Sequence, residues 1–190
     1  IGKTLSHGYD ILFTRADGTT QLSHEIEFFN ASSGQLIAWV KTSVNDTVDT
    51  VLYMYYNNSG ASDQQDVFGV WDSNYIAVYH LDESAGTASG GHKDSTENTF
   101  NGTGEGGSGP SITTGKVGSG QDFDSGERID LGASTRWDTM GTNDAFTIAV
   151  WVNMDDLSAD RCLVCQSDSD GYLMWMDAGG AGDGYLSYYY

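Results

Sequence analysis

Proline is almost missing from this chain: Pro110 is the only one in 190 residues, against 25 glycines, which points to many tight turns. Basic residues are nearly as scarce, 8 against 27 acids, for a net charge of −19. Such a surface repels nucleic acid and anionic membranes, so neither is expected as a partner. No apolar run approaches the ~20 residues that cross a bilayer, so membrane insertion is not expected. No stretch of ten or more residues keeps a 3.6-residue apolar period, so no long helix is expected. A basic-then-apolar leader and an initiating Met are also missing, and Ile1 reads as an internal or processed start.

Cysteine is limited to Cys162 and Cys165. One Cys-x-x-Cys pair is half of a four-cysteine zinc site, and no histidine lies near it in sequence. In a regular strand, residues three apart lie ~10 Å from one another, beyond the ~7 Å that a disulfide spans. The pair is therefore expected to act as small strand hydrophobes.

What is present is β-forming. Tyrosines outnumber phenylalanines, 11 to 7, and Val, Thr and Trp recur in short runs. Residues 9–14 alternate and meet a turn at Asp17-Gly18. Residues 21–29 follow, with Leu22, Ile26 and Phe28 on one face beside His24. Residues 35–41 make a third strand, and residues 50–56, apolar on both faces, are expected as a central fourth. Residues 62–69 read as a linker.

The words Asp10-Ile-Leu-Phe-Thr, Asp17-Gly-Thr-Thr, Glu25-Ile-Glu27, Trp39-Val-Lys and Val51-Leu-Tyr-Met-Tyr-Tyr-Asn57 resemble an uncharacterised β-domain of prokaryotic surface proteins. The resemblance covers about residues 8–60, and members of that family carry a strand or two earlier. It implies location and company more than chemistry: the family often precedes concanavalin-like modules in very large extracellular chains.

Further motifs run through residues 75–83, 94–102, 115–124, 128–132, 145–153, 161–166 and 172–176. In order and spacing they resemble the laminin-G/pentraxin-like branch of the concanavalin A-like lectin and glucanase superfamily. The resulting expectation is an all-β chain. A small antiparallel β-sandwich-like unit (residues 1–66) is followed by a laminin-G/concanavalin-like jelly roll (residues 67–190) that is incomplete at its C-terminal end.

Some members of that superfamily are glycosidases, which need two carboxyls ~5–5.5 Å apart in the retaining mechanism. The nearest approach to their motif, Asp122-Phe-Asp124-Ser-Gly-Glu127, lacks its first Glu and falls on a hairpin where Phe123 is expected to pack. No catalytic residue is expected. Among five tryptophans, Trp39 and Trp151 are expected in the core, while Trp175, Tyr185 and Tyr189 are open candidates for stacking on sugars. Calcium is the small ligand that the loops suggest, with Asp94 and Asp170 as oxygen donors on turns. Sequons at Asn30, Asn45, Asn57 and Asn101 fit a secreted glycoprotein.

The expectation is thus an extracellular, cell-surface or virion chain that binds a glycan or another surface component. The alternatives are a structural subunit or decoration protein of a particle, assembled with other subunits, and, more remotely, a glycoside hydrolase. Asp supplies 21 of the 27 acids, the composition of a chain adapted to high salt.

Overall fold

The computed structural model describes residues 4–134, 137, 145–155, 159, 161–166, 173–177 and 185–189, the last two stretches mainly as backbone. Nearly all the regular structure is antiparallel β. The chain divides into two compact units, Ile1–Gly132 and Ala133–Tyr190.

The first unit opens with β1 (Leu12–Arg15), flanked by β2 (Gln21–Leu22) and β5 (Leu52–Tyr55) in the order β2-β1-β5. The β1–β2 turn is tied by Asp17, whose carboxylate accepts from the N–H groups of Thr19 and Thr20 at 2.9 and 2.8 Å. Gly18 there has φ +72°, a conformation that disfavours a side chain. The Thr20 hydroxyl, its N–H and the Thr19 N–H hold the Asp17 carboxyl down at about 2.

Next come β3 (His24–Asn30) and β4 (Gln35–Val40), a hairpin whose turn is tied by Asn30 Oδ1, which accepts from Ser32 and Ser33. The ladder pairs Glu25 with Trp39 and Ile26 with Ala38, then slips between Ile26 and Phe28. Glu27 falls at that slip, an extra residue of the kind that re-aims a side chain.

Residues 62–69, expected as a linker, are instead docked. Gln64 N–H donates to Tyr9 O, Asp66 N–H to His24 O, and the side chain of Gln65 accepts from Ile26 N–H at 2.6 Å. Asp66 then caps a single helical turn, α1 (Val67–Val70), accepting from Gly69 N–H at 3.1 Å. The unit therefore continues across the division anticipated at residues 66/67. Its innermost apolar side chains are Ile11, Leu22 and Val70, beside a fully buried His24.

Residues 50–56 lie at the sheet's edge, not its centre: β5 pairs with β1 alone, and every residue from Val51 to Tyr56 is 36–54 % exposed. Apolar character on both faces is the mark of a covered strand, and among the described residues of this unit no second strand pairs with it.

Residues 75–83, expected as a strand, join no ladder, and Leu81 among them has φ +60°. Val78 O accepts from Ser95 N–H at 2.9 Å, and side chains supply further partners that a neighbouring strand would give. Asp94 Oδ1 accepts from Val78 N–H at 3.0 Å, and Asn98 Nδ2 donates to Ile76 O at 2.9 Å. Gln121 Nε2 donates to Leu81 O and Glu83 O at 3.0 and 2.7 Å. Buried backbone groups must find partners, and here they find amides and carboxylates. Two more pairs, β6 (Thr103–Glu105) with β9 (Arg128–Asp130) and β7 (Ser111–Thr114) with β8 (Ser119–Asp122), complete the unit.

The second unit carries a sheet of β10 (Arg161–Cys165), β11 (Leu173–Asp177) and β12 (Tyr185–Tyr189), in that order. Here the cysteine expectation fails: Cys162 and Cys165 form a disulfide, with Cα atoms 6.3 Å apart. The ~10 Å estimate assumed an unbroken strand, whereas the β10–β11 register slips between Cys162 and Val164 and contracts the span. The core strand expected at 145–153 also departs from expectation: its described residues join no ladder, and Trp151 is 74 % exposed. Trp137 is the buried aromatic described in this unit.

Candidate functional site

Strand alternation sends Glu25 and Glu27 to one face of β3, opposite the face of His24 and Ile26. Trp39 stands across the ladder from Glu25. The segment after α1 lays Trp71, Tyr75 and His80 over that face, and Ser95 closes it.

The contacts are dense. Glu25 Oε2 accepts from the Trp71 indole N–H at 2.7 Å and lies 3.0 Å from His80 Nε2; Glu25 Oε1 accepts from Ser95 Oγ at 2.6 Å. Glu27 Oε2 accepts from the Trp39 indole N–H at 2.7 Å and lies 3.4 Å from His80 Nδ1. The imidazole stacks on Trp39, with centroids 5.5 Å apart and planes at 22°. Trp39 in turn meets Trp71 at 5.6 Å, and Trp71 meets Tyr75 edge-on at 5.1 Å.

Burial pushes Glu25 toward neutrality, but hydrogen bonds from His80, Ser95 and Trp71 outweigh it and hold the carboxyl below its ordinary range. Burial likewise opposes charge on His80, and the carboxylates of Glu25 and Glu27 reverse this, raising its pKa. Asp82, two residues on, is raised by burial and by neighbouring Glu83.

On the outside the same residues make a surface. Trp39 is 36 % and Tyr75 45 % exposed, with Trp71 half-buried between them. Each indole N–H is already bonded to a carboxylate, so what the two indoles offer is ring face rather than donor. Lys41 and Asp72, ion-paired at 3.3 Å, extend from the ends of the same segments. The expectation that Trp39 is a core residue is thus half met: one face is covered by His80.

A separate cleft of about 660 Å³ lies between β1, β5 and residues 58–64, lined by Tyr55, Tyr56, Thr14, Asn58 and Gln64 among others. Its one carboxylate, Asp10, is buried and occupied, accepting from the N–H groups of Leu5, Asn57 and Asn58 at 2.8, 2.6 and 3.2 Å.

Of the residues expected to bind calcium, Asp94 is buried within the loop it supports. One oxygen accepts from the N–H groups of Val78 and Thr96, the other from the Thr96 hydroxyl and Phe100 N–H, at 2.9–3.0 Å. Asp170 lies outside the described residues. Among the described residues no group of three or more His, Cys, Asp or Glu side chains is arranged to hold a metal ion. Asn45, Asn57 and Asn101 are exposed and Asn30 partly so, and Asn101 Oδ1 also accepts from Asp94 N–H at 3.0 Å. Trp175, Tyr185 and Tyr189 lie on β11 and β12, where only the backbone is described. Asp122, Asp124 and Glu127 flank a tight turn in which Glu127 Oε2 accepts from Asp124 N–H, and Phe123 beside them is 46 % exposed rather than packed. No described helix is long and apolar enough to cross a membrane.

Sequence reasoning singled out neither Glu25, Glu27, Trp71 nor His80 as members of one site. The signal was two acids alternating on an otherwise apolar strand, and a histidine inside the run Tyr75-Ile-Ala-Val-Tyr-His80.

Compared with known proteins, residues 7–101 match a family model described as "Domain of unknown function (DUF2341)". That match takes in both the β1–β5 region and the segment carrying Trp71, His80 and Ser95. No curated protein and no solved structure matches the chain.

Proposed function

Given that the chain belongs to the DUF2341 family, we propose that it is an extracellular, non-catalytic module that binds a surface glycan or another surface component through Trp39, Trp71 and Tyr75. The observation that carries this reading is the run of contiguous, partly exposed rings locked from beneath by buried carboxylates. A rigid aromatic face loses little conformational entropy on binding and suits the apolar side of a pyranose. With a net charge of −19 the chain favours a neutral or cationic ligand over a sulfated or sialylated one. Weak single sites of this kind gain strength when repeated along a large surface protein.

Hydrolysis is disfavoured because the two neighbouring carboxylates face the same imidazole and one indole each, not a sugar. The jelly-roll resemblance, the sequons and a calcium ion bound by Asp170 belong to the same proposal. A second reading, a structural subunit of a cell-surface or viral particle, draws on β5, whose open apolar edge suits coverage by another chain.

A glycan array probed with the protein tests the first reading. A specific neutral or amino-sugar glycan should bind, and Tyr75→Ala, which leaves the carboxylate network intact, should weaken it about tenfold, equivalent to about 1.4 kcal/mol. Absence of binding to every glycan would leave the scaffold reading in possession.

A further inference from the structure

We propose that His80 is an imidazolium clasp that holds the aromatic face together, so that the face loosens, and its grip on a ligand weakens, as pH rises. The consequence for a ligand rests on the glycan-binding reading; the clasp itself does not.

The argument is geometric. Both ring nitrogens of His80 face carboxylates: Nε2 lies 3.0 Å from Glu25 Oε2, and Nδ1 lies 3.4 Å from Glu27 Oε2. A neutral imidazole has one N–H and one lone pair, and either tautomer would aim its lone pair at a carboxylate oxygen. Each of these oxygens already accepts an indole N–H, and only the doubly protonated ring presents a lone pair to neither of them. The three side chains are also sheltered, with 11 % of the His80, 11 % of the Glu25 and 3 % of the Glu27 side chain exposed, so water cannot readily fill the gap that deprotonation leaves.

The clasp joins parts of the chain that no β-ladder joins. Glu25 and Glu27 are on β3, while His80 is on the segment 75–83, outside any ladder, that also carries Tyr75. Trp39 is stacked on the ring and bonded to Glu27; Trp71 is bonded to Glu25. Loss of the proton places a lone pair against the carboxylate that holds one tryptophan or the other, and takes the ring's charge away from both carboxylates. The charged groups acting on the ring are Glu25 and Glu27 of β3 and Asp82 of its own segment, while β4 and the residue after α1 contribute the uncharged Trp39 and Trp71. All three charges favour the protonated ring while they are ionised, and the Asp82 carboxyl is itself raised by burial and by neighbouring Glu83.

The direction of the pH effect follows. With the folded pKa of His80 raised, the clasp contributes fully below the ordinary histidine value of ~6.5 and fades as pH climbs through the higher folded value. On the acid side it persists until Glu25 protonates, below the ordinary carboxylate range.

Nitrogen-15 NMR of the His80 ring in the whole protein tests the clasp without any ligand. Both ring nitrogens should be protonated at neutral pH and should titrate above ~6.5, with tryptophan fluorescence following the same transition. His80→Gln should abolish that fluorescence transition, and where a glycan has been found its affinity for the wild type should fall at least about threefold across it. A bare lone pair at neutral pH, or titration at or below the ordinary value, would overturn the proposal. So would an unchanged alkaline fluorescence transition in His80→Gln. If the ring titrates as expected and no glycan binds at any pH, the clasp stands and the glycan reading falls.

Discussion

Glu25 faces Trp39 across the β3–β4 ladder, yet its carboxylate bonds the indole of Trp71, a residue 46 positions further along, at 2.7 Å. One buried oxygen pair thereby ties the hairpin to a segment that joins no strand. Removing one member of a buried, hydrogen-bonded charge pair leaves the other uncompensated. Glu25→Ala should therefore cost about 3 kcal/mol and lower Tm by roughly 6–12 °C. The exposed Glu97→Ala should shift it little. Equal, small shifts for both variants would remove Glu25 from its structural role.

Asp10 does similar work at the end of β5. Burial opposes its charge, but N–H groups of Leu5, Asn57 and Asn58 outweigh that and keep its carboxyl below the usual range. Its contribution is present above the unfolded value of ~3.9 and disappears as pH falls through the lower folded value. Urea unfolding from pH 7 to pH 2 should show this acid limb in the wild type and a flatter one in Asp10→Asn. The variant should also be weaker by about 1–3 kcal/mol at neutral pH, where its amide turns N–H groups toward backbone donors. Parallel curves with equal midpoints would contradict this.

Gly104, buried in β6, has no room for a methyl group: an added Cβ would lie 1.9 Å from the carbonyl oxygen of Gly86. Backbone cannot swing aside as a side chain can, so Gly104→Ala should destabilise by about 2 kcal/mol or more. Gly60→Ala, whose new carbon would come no closer than 3.6 Å to anything, serves as the comparison and should stay within about 0.5 kcal/mol. Thermal unfolding of the two variants side by side decides the matter.

The excess of 27 acids over 8 bases should make the fold salt-dependent. Raising sodium chloride from ~10 mM to ~1 M shortens the screening length from ~30 to ~3 Å. Tm should rise by about 4 °C, the equivalent of roughly 1 kcal/mol for a chain of this size. A flat or falling Tm would mean that self-repulsion is not a significant load on this fold.

The hairpins were legible because alternation and turn residues are local: strands expected at residues 9–14, 21–29 and 35–41 are found as β1, as β2 with β3, and as β4. The site was not, because its parts are distant: Glu25 meets His80 55 residues away and Ser95 70 residues away. Two misreadings share a cause, the assumption of regular backbone. A bulge brings Cys162 to Cys165, and residues 75–83 take many of their hydrogen bonds from side chains although their composition is that of a strand. The third, residues 50–56, shows that an apolar strand reveals its need for cover and not whether cover is at hand.

The side-chain scaffolding of residues 75–83 has a consequence for how freely this sequence can drift. A ladder such as β3–β4 is held by peptide groups that every residue except proline supplies, so many substitutions leave its bonds in place. Residues 75–83, besides one backbone bond from Ser95 N–H, rest on the carboxylate of Asp94 and the amides of Asn98 and Gln121, atoms that few other residues can present at the same reach. Substitutions tolerated in the hairpin strands would, at these three positions, detach the stretch that carries Tyr75 and His80. Mutational fragility is thus expected at two residues outside the ladders, Asp94 and Asn98, and at Gln121 of β8.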